Sequence, residues 1–341
     1  MLAIFLILPV GVLAAMAAAQ LICARIDARK FPAPGTLVKI DGGAMHVRRM
    51  GNSGPAVVLE SGIAASSLNW CMLQPALAQF ATAYSYDRAG FGWSTTHDSS
   101  CSLEKITSDL HSLLQALDVP KPYILVAHSF GGYIVRAYAQ RYSNELAGLV
   151  LVDPLTPEEW AHASPAKLSV LRRGVWFARI GGVFAGLGLV RAPLWLLQRG
   201  NRDVPRGLLS TFGPKAIETI TRLVREVTKL PPDTTRVIRA LWSTSRFYWT
   251  LASYLQSLPK CAKELHDVRF PAELPVTVLS GAHQPEVRLR EHAAIAAHSS
   301  RGKHLIADQS AHWIHLDQPQ LVVEAVREMA GAAKTKSTAA V

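Results

Sequence analysis

One serine near the middle of the chain stands where a short apolar run meets a glycine-rich turn. In "YILVAHSFGGYIVRAYAQ" the apolar run ends at His128, Ser129 follows, and an apolar helical pattern begins after Gly131. The residues two positions before and after the serine, Ala127 and Gly131, are small, as the close backbone approach in a sharp strand-to-helix turn requires. Such a turn holds a serine hydroxyl in a strained, accessible position from which it can attack an acyl carbon.

A serine hydroxyl is a weak nucleophile at neutral pH, so the chemistry also requires a neighbouring base. Of the 12 histidines, His312 in "SAHWIHLDQP" follows the last apolar run and precedes the C-terminal helical pattern. His304 and His315 are nearby alternatives, and His315 is interpreted as a surface or packing residue. His128 is interpreted as structural, with its side chain pointing away from Ser129.

The elements that must position these residues follow from the hydropathy pattern. Short apolar runs that stop at Gly, Asp or Ser predict buried parallel strands. They are "PAVVLESG", "TAYSYDRAG", "YILVAHS", "LAGLVLVD", "PVTVLSG" and "KHLIADQS". Helical patterns such as "LEKITSDLHSLLQAL" separate several of the runs, and "TLVKIDGGAMHVRRMG" predicts an antiparallel hairpin before them. This alternation predicts an α/β fold: a mostly parallel central sheet with helices on both faces.

The alternation fails over one long segment, which predicts an insertion into a single domain. Residues 36–155 and 271–332 are predicted to form the α/β core, and residues 156–270 a helical cap over the strand ends. The cap is apolar and rich in tryptophan, which favours an apolar or lipid-like substrate. Residues 333–341 are predicted to be a disordered tail.

The first 24 residues contain no charged side chain. A helix of about 20 such residues crosses the hydrocarbon core of a bilayer, so residues 1–24 are predicted to be a single-pass anchor. Arg25, Arg29 and Lys30 follow directly, which places the catalytic domain on the cytoplasmic side. The alternative is a signal segment cut near "AMAAAQ", which would leave a secreted or periplasmic protein.

Charge and cysteine content narrow the possible ligands. The net charge is +11, and residues 156–270 carry 18 Lys and Arg against 8 Asp and Glu. Because no nucleic-acid motif accompanies this basic segment, we predict no nucleic-acid partner and favour contact with anionic lipid, with a solvated basic surface as the alternative. The four cysteines lack the spacing of a zinc site or a disulfide framework. The serine chemistry described above requires no metal or organic cofactor, and none is predicted.

The order of these motifs resembles that of the α/β-hydrolase superfamily, specifically its serine-nucleophile members with an N-terminal hydrophobic segment and a cap. The resemblance covers residues 36–330 and is carried by "VVLESGIAASSLNW", "YDRAGFGWS", "LVAHSFGG", "AGLVLVDP" and "SAHWIHLDQP". It implies that Ser129 is the nucleophile and His312 the base. It also implies that the backbone N–H groups of Ile63 and Phe130 bind the oxyanion.

The resemblance requires a triad acid between the serine and the histidine but leaves its identity open. Most relatives carry the acid after the seventh strand, where "SGAHQPE" has His283 or Gln284 at the expected position. Asp153, at the end of the sixth strand, is the favoured candidate, because some family members supply the acid from that strand. Glu286 is the alternative. An Asp before a Pro at a strand end can also simply cap a turn.

The function implied by the resemblance is that of a membrane-anchored serine hydrolase, a carboxylesterase or lipase-like enzyme that cleaves an ester or related acyl bond through an acyl-enzyme. Two alternatives remain open: a carbon–carbon or amide bond hydrolase using the same triad, and a catalytically silent scaffold at the membrane. The serine disfavours the haloalkane dehalogenases and epoxide hydrolases of this fold, which use an aspartate nucleophile. In relatives "YDRAG" braces the loop beneath the site, so Asp87 and Arg88 are interpreted as structural.

Overall fold

The computed structural model describes residues 2–95, 101–198 and 226–338. Within these ranges the strands are β1 Thr36–Ile40, β2 Gly43–Met50, β3 Ala56–Glu60, β4 Thr82–Tyr86, β5 Tyr123–His128, β6 Leu146–Val152, β7 Val276–Gly281 and β8 Gly302–Ala307. They form one sheet in the order β1-β2-β4-β3-β5-β6-β7-β8. β1, β2 and β4 pair antiparallel, and all other neighbours pair parallel. The predicted α/β fold and the N-terminal hairpin are therefore confirmed.

Helices connect and surround the strands. They are α1 Leu2–Lys30, α2 Gln74–Leu77, α3 Leu103–Ala116, α4 Gly131–Arg141, α5 Pro157–Ala161, α6 Pro165–Gly186, α7 Arg191–Gln198, α8 Pro232–Trp242, α9 Ser245–His266, α10 Glu286–Ala297, α11 Ile314–Asp317 and α12 Pro319–Thr338. The sequence of α3 explains why this helix forms where it does. Ser102 caps its first turn by accepting from Lys105 N–H at 3.1 Å, and the predicted apolar stripe of the helix is buried.

The described chain divides into two compact units. The first, called the helical unit here, joins Met1–Ala33 with Arg172–Ala252. The second, called the sheet unit, joins Pro34–Leu171 with Ser253–Val341 and contains the whole sheet. The two ends of the predicted cap, residues 156–171 and 253–270, therefore belong to the sheet unit.

The core of the sheet unit is formed by its inner strands. Every residue of β3, β5 and β7 is buried, as expected for strands covered on both faces. β8 was predicted to be buried in the same way, and that prediction is wrong. It is the last strand of the sheet, and it leaves Leu305 and Ile306 exposed.

The described residues begin and end in helices. α1 contains a 22-residue stretch, Pro9–Lys30, that is long and apolar enough to cross a membrane, and a signal sequence has the same character. α12 continues to Thr338, so the chain is helical over residues 333–338, where a disordered tail was expected. Residues 339–341 lie outside the described residues.

A buried polar cluster fixes β5 against α4, the two elements that flank Ser129. The hydroxyl groups of Tyr123 on β5 and Tyr138 on α4 donate to Glu145 Oε2 at 2.5 and 2.7 Å, and Lys121 Nζ donates to Oε1 at 2.7 Å. Desolvation raises the pKa of Glu145, but the hydrogen bonds from these donors outweigh it and lower the pKa to about 2. The charged carboxylate therefore stabilises the fold.

Replacing Glu145 with Gln tests this contribution. The pKa of the carboxyl is lower in the folded chain than its usual 4.5, so its stabilisation is complete above that pH and is lost as the pH falls toward 2. We expect Glu145→Gln to lower the free energy of unfolding by about 3 kcal/mol at neutral pH and by little near pH 2. Urea unfolding over a pH series measures the difference.

Glu104→Gln is the matched control, because Glu104 pairs with Arg141 at 3.3 Å on the surface. Exposed ion pairs contribute less than about 1 kcal/mol, so this variant should differ little from wild type at any pH. A loss of stability in Glu145→Gln that stayed constant across the pH series would contradict the assignment.

Candidate active site

Ser129 occupies the sharp turn between β5 and α4. Its φ is +54°, a left-handed conformation that costs a non-glycine residue about 1 kcal/mol or more. Backbone hydrogen bonds hold it there: Ser129 N–H donates to Val152 O at 3.1 Å, and Ser129 O accepts from Gly132 and Leu155 N–H, both at 3.0 Å. The side chain is 8% exposed. These features are those of a nucleophile elbow.

Two glycines allow the loop after β3 to pack directly on this turn. A Cβ at Gly131 would lie 2.8 Å from both Glu60 Cγ and Glu60 O, closer than packing permits. A Cβ at Gly62 would lie 3.3 Å from Ser129 Cβ. The motif therefore requires a small residue two positions after the serine, because a larger one would collide with the end of β3.

Asp153 and His312, which are 159 residues apart in the chain, meet at the end of β6. His312 Nδ1 lies 2.5 Å from Asp153 Oδ2. The carboxylate is fully buried at a residue whose φ is +43°. It also accepts Gly281 N–H on Oδ1 at 3.1 Å and Gln284 Nε2 on Oδ2 at 2.5 Å. Asp153 thus fixes the plane of the imidazole through Nδ1 and leaves Nε2 on the side away from the carboxylate.

The alternative acid lies elsewhere. The Glu286 side chain is 82% exposed at the start of α10 and pairs with Arg290 at 3.4 Å. Of the two carboxylates, the structure brings only Asp153 to His312. Gln284, which occupies the position expected for an acid, donates to Asp153 instead. No residue pattern in the sequence predicted that hydrogen bond.

The two backbone amides that were expected to bind an oxyanion lie on either side of the turn, one after β3 and one after Ser129. Within the described residues, the backbone N–H groups of Ile63 and Phe130 have no intramolecular acceptor. Both amides therefore remain available to bind a ligand oxygen. No hydrogen bond joins Ser129 Oγ to His312 in this structure, and such contacts are often long before a substrate binds.

Arg88 supports the loop that carries Ile63. Its guanidinium donates to Ser61 O and Gly62 O, both at 2.5 Å, and forms a buried ion pair with Glu60. Burial raises the pKa of Glu60 to about 7 even though Arg88 opposes that shift. Arg88 therefore fixes the loop through the loop's carbonyl oxygens. The backbone N–H groups of the loop are not used in these contacts. This contact agrees with a bracing role for Arg88.

His128 connects the turn at Ser129 to the loop of His312. Its Nε2 lies 3.0 Å from His312 O, and the two rings are 4.6 Å apart between centroids. A carbonyl only accepts, so Nε2 carries the proton. Burial, together with the neighbouring His315 and His312, lowers the pKa of His128 well below its usual range, so the ring is neutral. The sequence predicted a structural role for His128. The contact agrees with that role, because it links His128 to the loop of His312.

The other candidate histidines do not contact Asp153. His315 is buried on α11. His304 Nε2 lies 2.7 Å from Ser280 Oγ, which lies 2.6 Å from His292 Nδ1, and His292 Nε2 lies 2.8 Å from Pro154 O. Within the described residues, no three His, Cys, Asp or Glu side chains are placed to hold a metal ion.

A family model described as the alpha/beta hydrolase fold matches residues 55–319. The chain belongs to the α/β-hydrolase family. The match covers the strands from β3 onward and all the candidate site residues, so the family resemblance drawn from the motifs is confirmed at that level.

Individual curated relatives are distant or partial. The uncharacterized protein YqjL of Bacillus subtilis is 37% identical over 116 residues, which are 34% of this chain and 46% of that protein. The abhydrolase domain-containing protein abhd-5.2 of Caenorhabditis elegans is 25% identical over 48% of this chain and 34% of its own length. The (lyso)-N-acylphosphatidylethanolamine lipase of Bos taurus is 22% identical over 76% of this chain and 74% of that protein. The chain spans less than half the length of the first two.

Solved structures share the fold. An esterase of Thermogutta terrifontis superposes with a TM-score of 0.59 at 19% identity, covering 88% of this chain and 99% of the esterase. A putative epoxide hydrolase of Pseudomonas aeruginosa, in a t131d mutant structure, superposes with a TM-score of 0.64 at 16% identity, covering 88% and 96%. At these identities the likeness shows the α/β-hydrolase fold alone.

The hydrogen bond from His128 should slow the local opening of the loop that carries His312, whatever the activity of the protein. His128→Leu removes the donor to His312 O, and a lost hydrogen bond of this kind should speed local opening by about threefold to tenfold. We expect faster backbone hydrogen exchange over residues 308–313, measured by mass spectrometry. His128→Gln keeps an N–H donor and should restore part of the protection.

His298→Leu is the matched control, because His298 Nε2 makes the same kind of contact, 2.8 Å from Phe270 O, away from the candidate site. It should leave exchange over residues 308–313 unchanged. Equal exchange of this segment in wild type and His128→Leu would show that His128 does not hold it.

Proposed function

We propose that this α/β-hydrolase family member is a serine hydrolase that cleaves an ester or related acyl bond through an acyl-enzyme. Ser129 attacks the acyl carbon while His312 Nε2 takes its proton and later gives that proton to the leaving group. Asp153 holds the Nδ1–H side of the imidazole and stabilises the imidazolium. The observation that carries the proposal is the 2.5 Å contact between His312 Nδ1 and Asp153 Oδ2 beside a serine in a nucleophile elbow.

The tetrahedral intermediate carries a negative oxygen that needs donors. We assign this role to the backbone N–H groups of Ile63 and Phe130. Each such donor contributes about 3 kcal/mol to transition-state stabilisation where its geometry is good. Arg88 and Gly131 support the assignment, because they fix the loop and the turn on which the two amides lie.

The comparisons support acyl transfer without deciding the substrate. A lipase and an esterase are among the similar proteins. A putative epoxide hydrolase shares the fold as well, but a serine at the elbow favours acyl transfer over the opening of an epoxide by an aspartate. The apolar, tryptophan-rich insertion favours an apolar or lipid-like acyl substrate.

We also propose that α1 anchors the protein in a membrane as a single span. Its apolar stretch is long enough, and only 6% of the most apolar part is buried. Arg25, Arg29 and Lys30 at its C-terminal end favour a cytoplasmic position for the catalytic domain. A protein whose first residues were removed as a signal segment is the alternative.

A fluorophosphonate probe, which reacts with activated serines, tests the proposed chemistry on the full chain in detergent. Wild type should be labelled, and Ser129→Ala should abolish labelling. Asp153→Asn should lower the turnover of p-nitrophenyl esters by a factor on the order of 10⁴, because the imidazole loses the group that holds its tautomer. Glu286→Gln is the matched control and should retain wild-type turnover.

The other outcomes separate the alternatives. Loss of turnover in Glu286→Gln but not in Asp153→Asn would transfer the acid role to Glu286. Absence of labelling in wild type, with no ester turnover, would favour the silent scaffold. Cleavage of an amide or a diketone without ester turnover would show that the reaction class is wrong.

A further inference from the structure

The helix α1 of the helical unit exposes apolar side chains and buries a polar one. On α1, Leu21, Ile22 and Ile26 are more than half exposed, whereas Gln20 is 6% exposed. This is the reverse of the arrangement on a protein surface in water, where long polar side chains face the solvent. The pattern is typical of a surface in contact with lipid.

Gln20, which is buried on α1, and Asp27, which is partly exposed, both have partners inside the helical unit. Gln20 Nε2 donates to Ser243 O at 2.7 Å, and Arg191 Nε donates to Gln20 Oε1 at 2.6 Å. Arg191 also forms an ion pair with Asp27 at 2.6 Å. Gln20 and Asp27 are seven residues apart and so lie on the same face of the helix. Polar groups next to hydrocarbon must be satisfied within the protein in this way.

These contacts place the corner between α6 and α7 beside the apolar stretch of α1. We define the α6–α7 corner as residues 183–191. A Cβ at Gly188, within the corner, would lie 3.4 Å from Gln20 Oε1. Gln20 and Asp27 both lie inside the 22-residue apolar stretch, which is about 33 Å long as a helix. A bilayer that surrounds this stretch therefore reaches the corner.

The exposed side chains of α6 are basic or aromatic over residues 172–179, Arg179 included, and apolar at the C-terminal end of the helix. Arg172 and Arg173, in the first half of the helix, are exposed. Trp176 follows one turn later and is also exposed. Val183 and Phe184 at the end of the helix are about half exposed. Basic side chains suit the headgroup layer, tryptophan suits the interface, and the apolar end suits the acyl chains.

We propose that the α6–α7 corner inserts into the membrane interface next to α1, with Val183, Phe184 and Leu189 in contact with lipid acyl chains. The proposal rests on the membrane anchoring proposed for α1. It gives this unit a second lipid contact in addition to the single span. The arginines on α6 are at the level of the headgroups, which favours bilayers that contain anionic lipid.

Site-specific crosslinking tests the insertion. The photoreactive residue p-benzoylphenylalanine is introduced at Phe184 or Leu189 of the full chain, which is then reconstituted into vesicles of phosphatidylcholine and phosphatidylglycerol. Met72 and Val287, apolar and comparably exposed in the sheet unit, are the matched control positions. After irradiation, mass spectrometry of the protein measures phospholipid adducts.

We expect adducts at positions 184 and 189 to exceed those at positions 72 and 287 by about tenfold, because only buried interfacial side chains contact acyl chains continuously. Equal adduct levels at all four positions would overturn the insertion, as would crosslinks from 184 and 189 to protein alone. Flotation of the wild-type chain with the vesicles tests the α1 anchor separately. Fluorophosphonate labelling of the same samples reports the proposed hydrolase chemistry.

If the wild-type chain floats but gives no adducts at the corner, the insertion fails and the anchor stands. If it does not float, both fail, and neither result bears on the triad. Folding of each photoreactive variant is checked by its size-exclusion profile against wild type. Phe184→Leu, which keeps an apolar side chain, should float as wild type does.

Discussion

The candidate site depends on a carboxylate that is fully removed from water and must therefore be satisfied by the protein. Asp153 meets this requirement with three donors, from the end of β7, from Gln284 and from His312. These groups come from distant parts of the chain, and they meet because β6 and β7 are parallel neighbours whose carboxyl ends lie at one edge of the sheet. The sheet order is thus the first condition for the chemistry, and the identity of the side chains is the second.

Buried side chains also fix the loops around the candidate site by donating hydrogen bonds to backbone carbonyl groups. Arg88 donates to carbonyl groups of the loop before Ile63, and His128 donates to the carbonyl of His312. In both cases the bracing side chain occupies an acceptor. The backbone donors of Ile63 and Phe130 are left without an intramolecular acceptor among the described residues, as a site for a developing oxyanion requires. A loop whose carbonyl groups are held by side-chain donors can be rigid and still bind an anion through its backbone N–H groups.

The sequence predicted the parts of this arrangement that depend on local patterns. Alternating apolar runs and helical stripes indicated the α/β fold, because both periodicities follow from burial within a few residues. Ser129 and His312 were marked as candidates by their neighbours in the chain. Whether Asp153 or Glu286 faces His312 is a question of distance across strands, which composition and spacing do not encode. Gln284 shows the limit most clearly, since an amide in the expected place of an acid gives no sign that it donates to a carboxylate on another strand.

The contact between α1 and the rest of the helical unit also bears on how the protein is handled. Removing an N-terminal hydrophobic segment is the usual first step when a membrane protein is prepared for solution work. Here a chain that began after residue 33 would lack the glutamine that accepts from Arg191 and the aspartate that pairs with it. The guanidinium would lose its counter-charge, and the newly uncovered helix faces would favour self-association. For the membrane anchoring proposed for α1, detergent or lipid discs therefore suit solution work better than truncation.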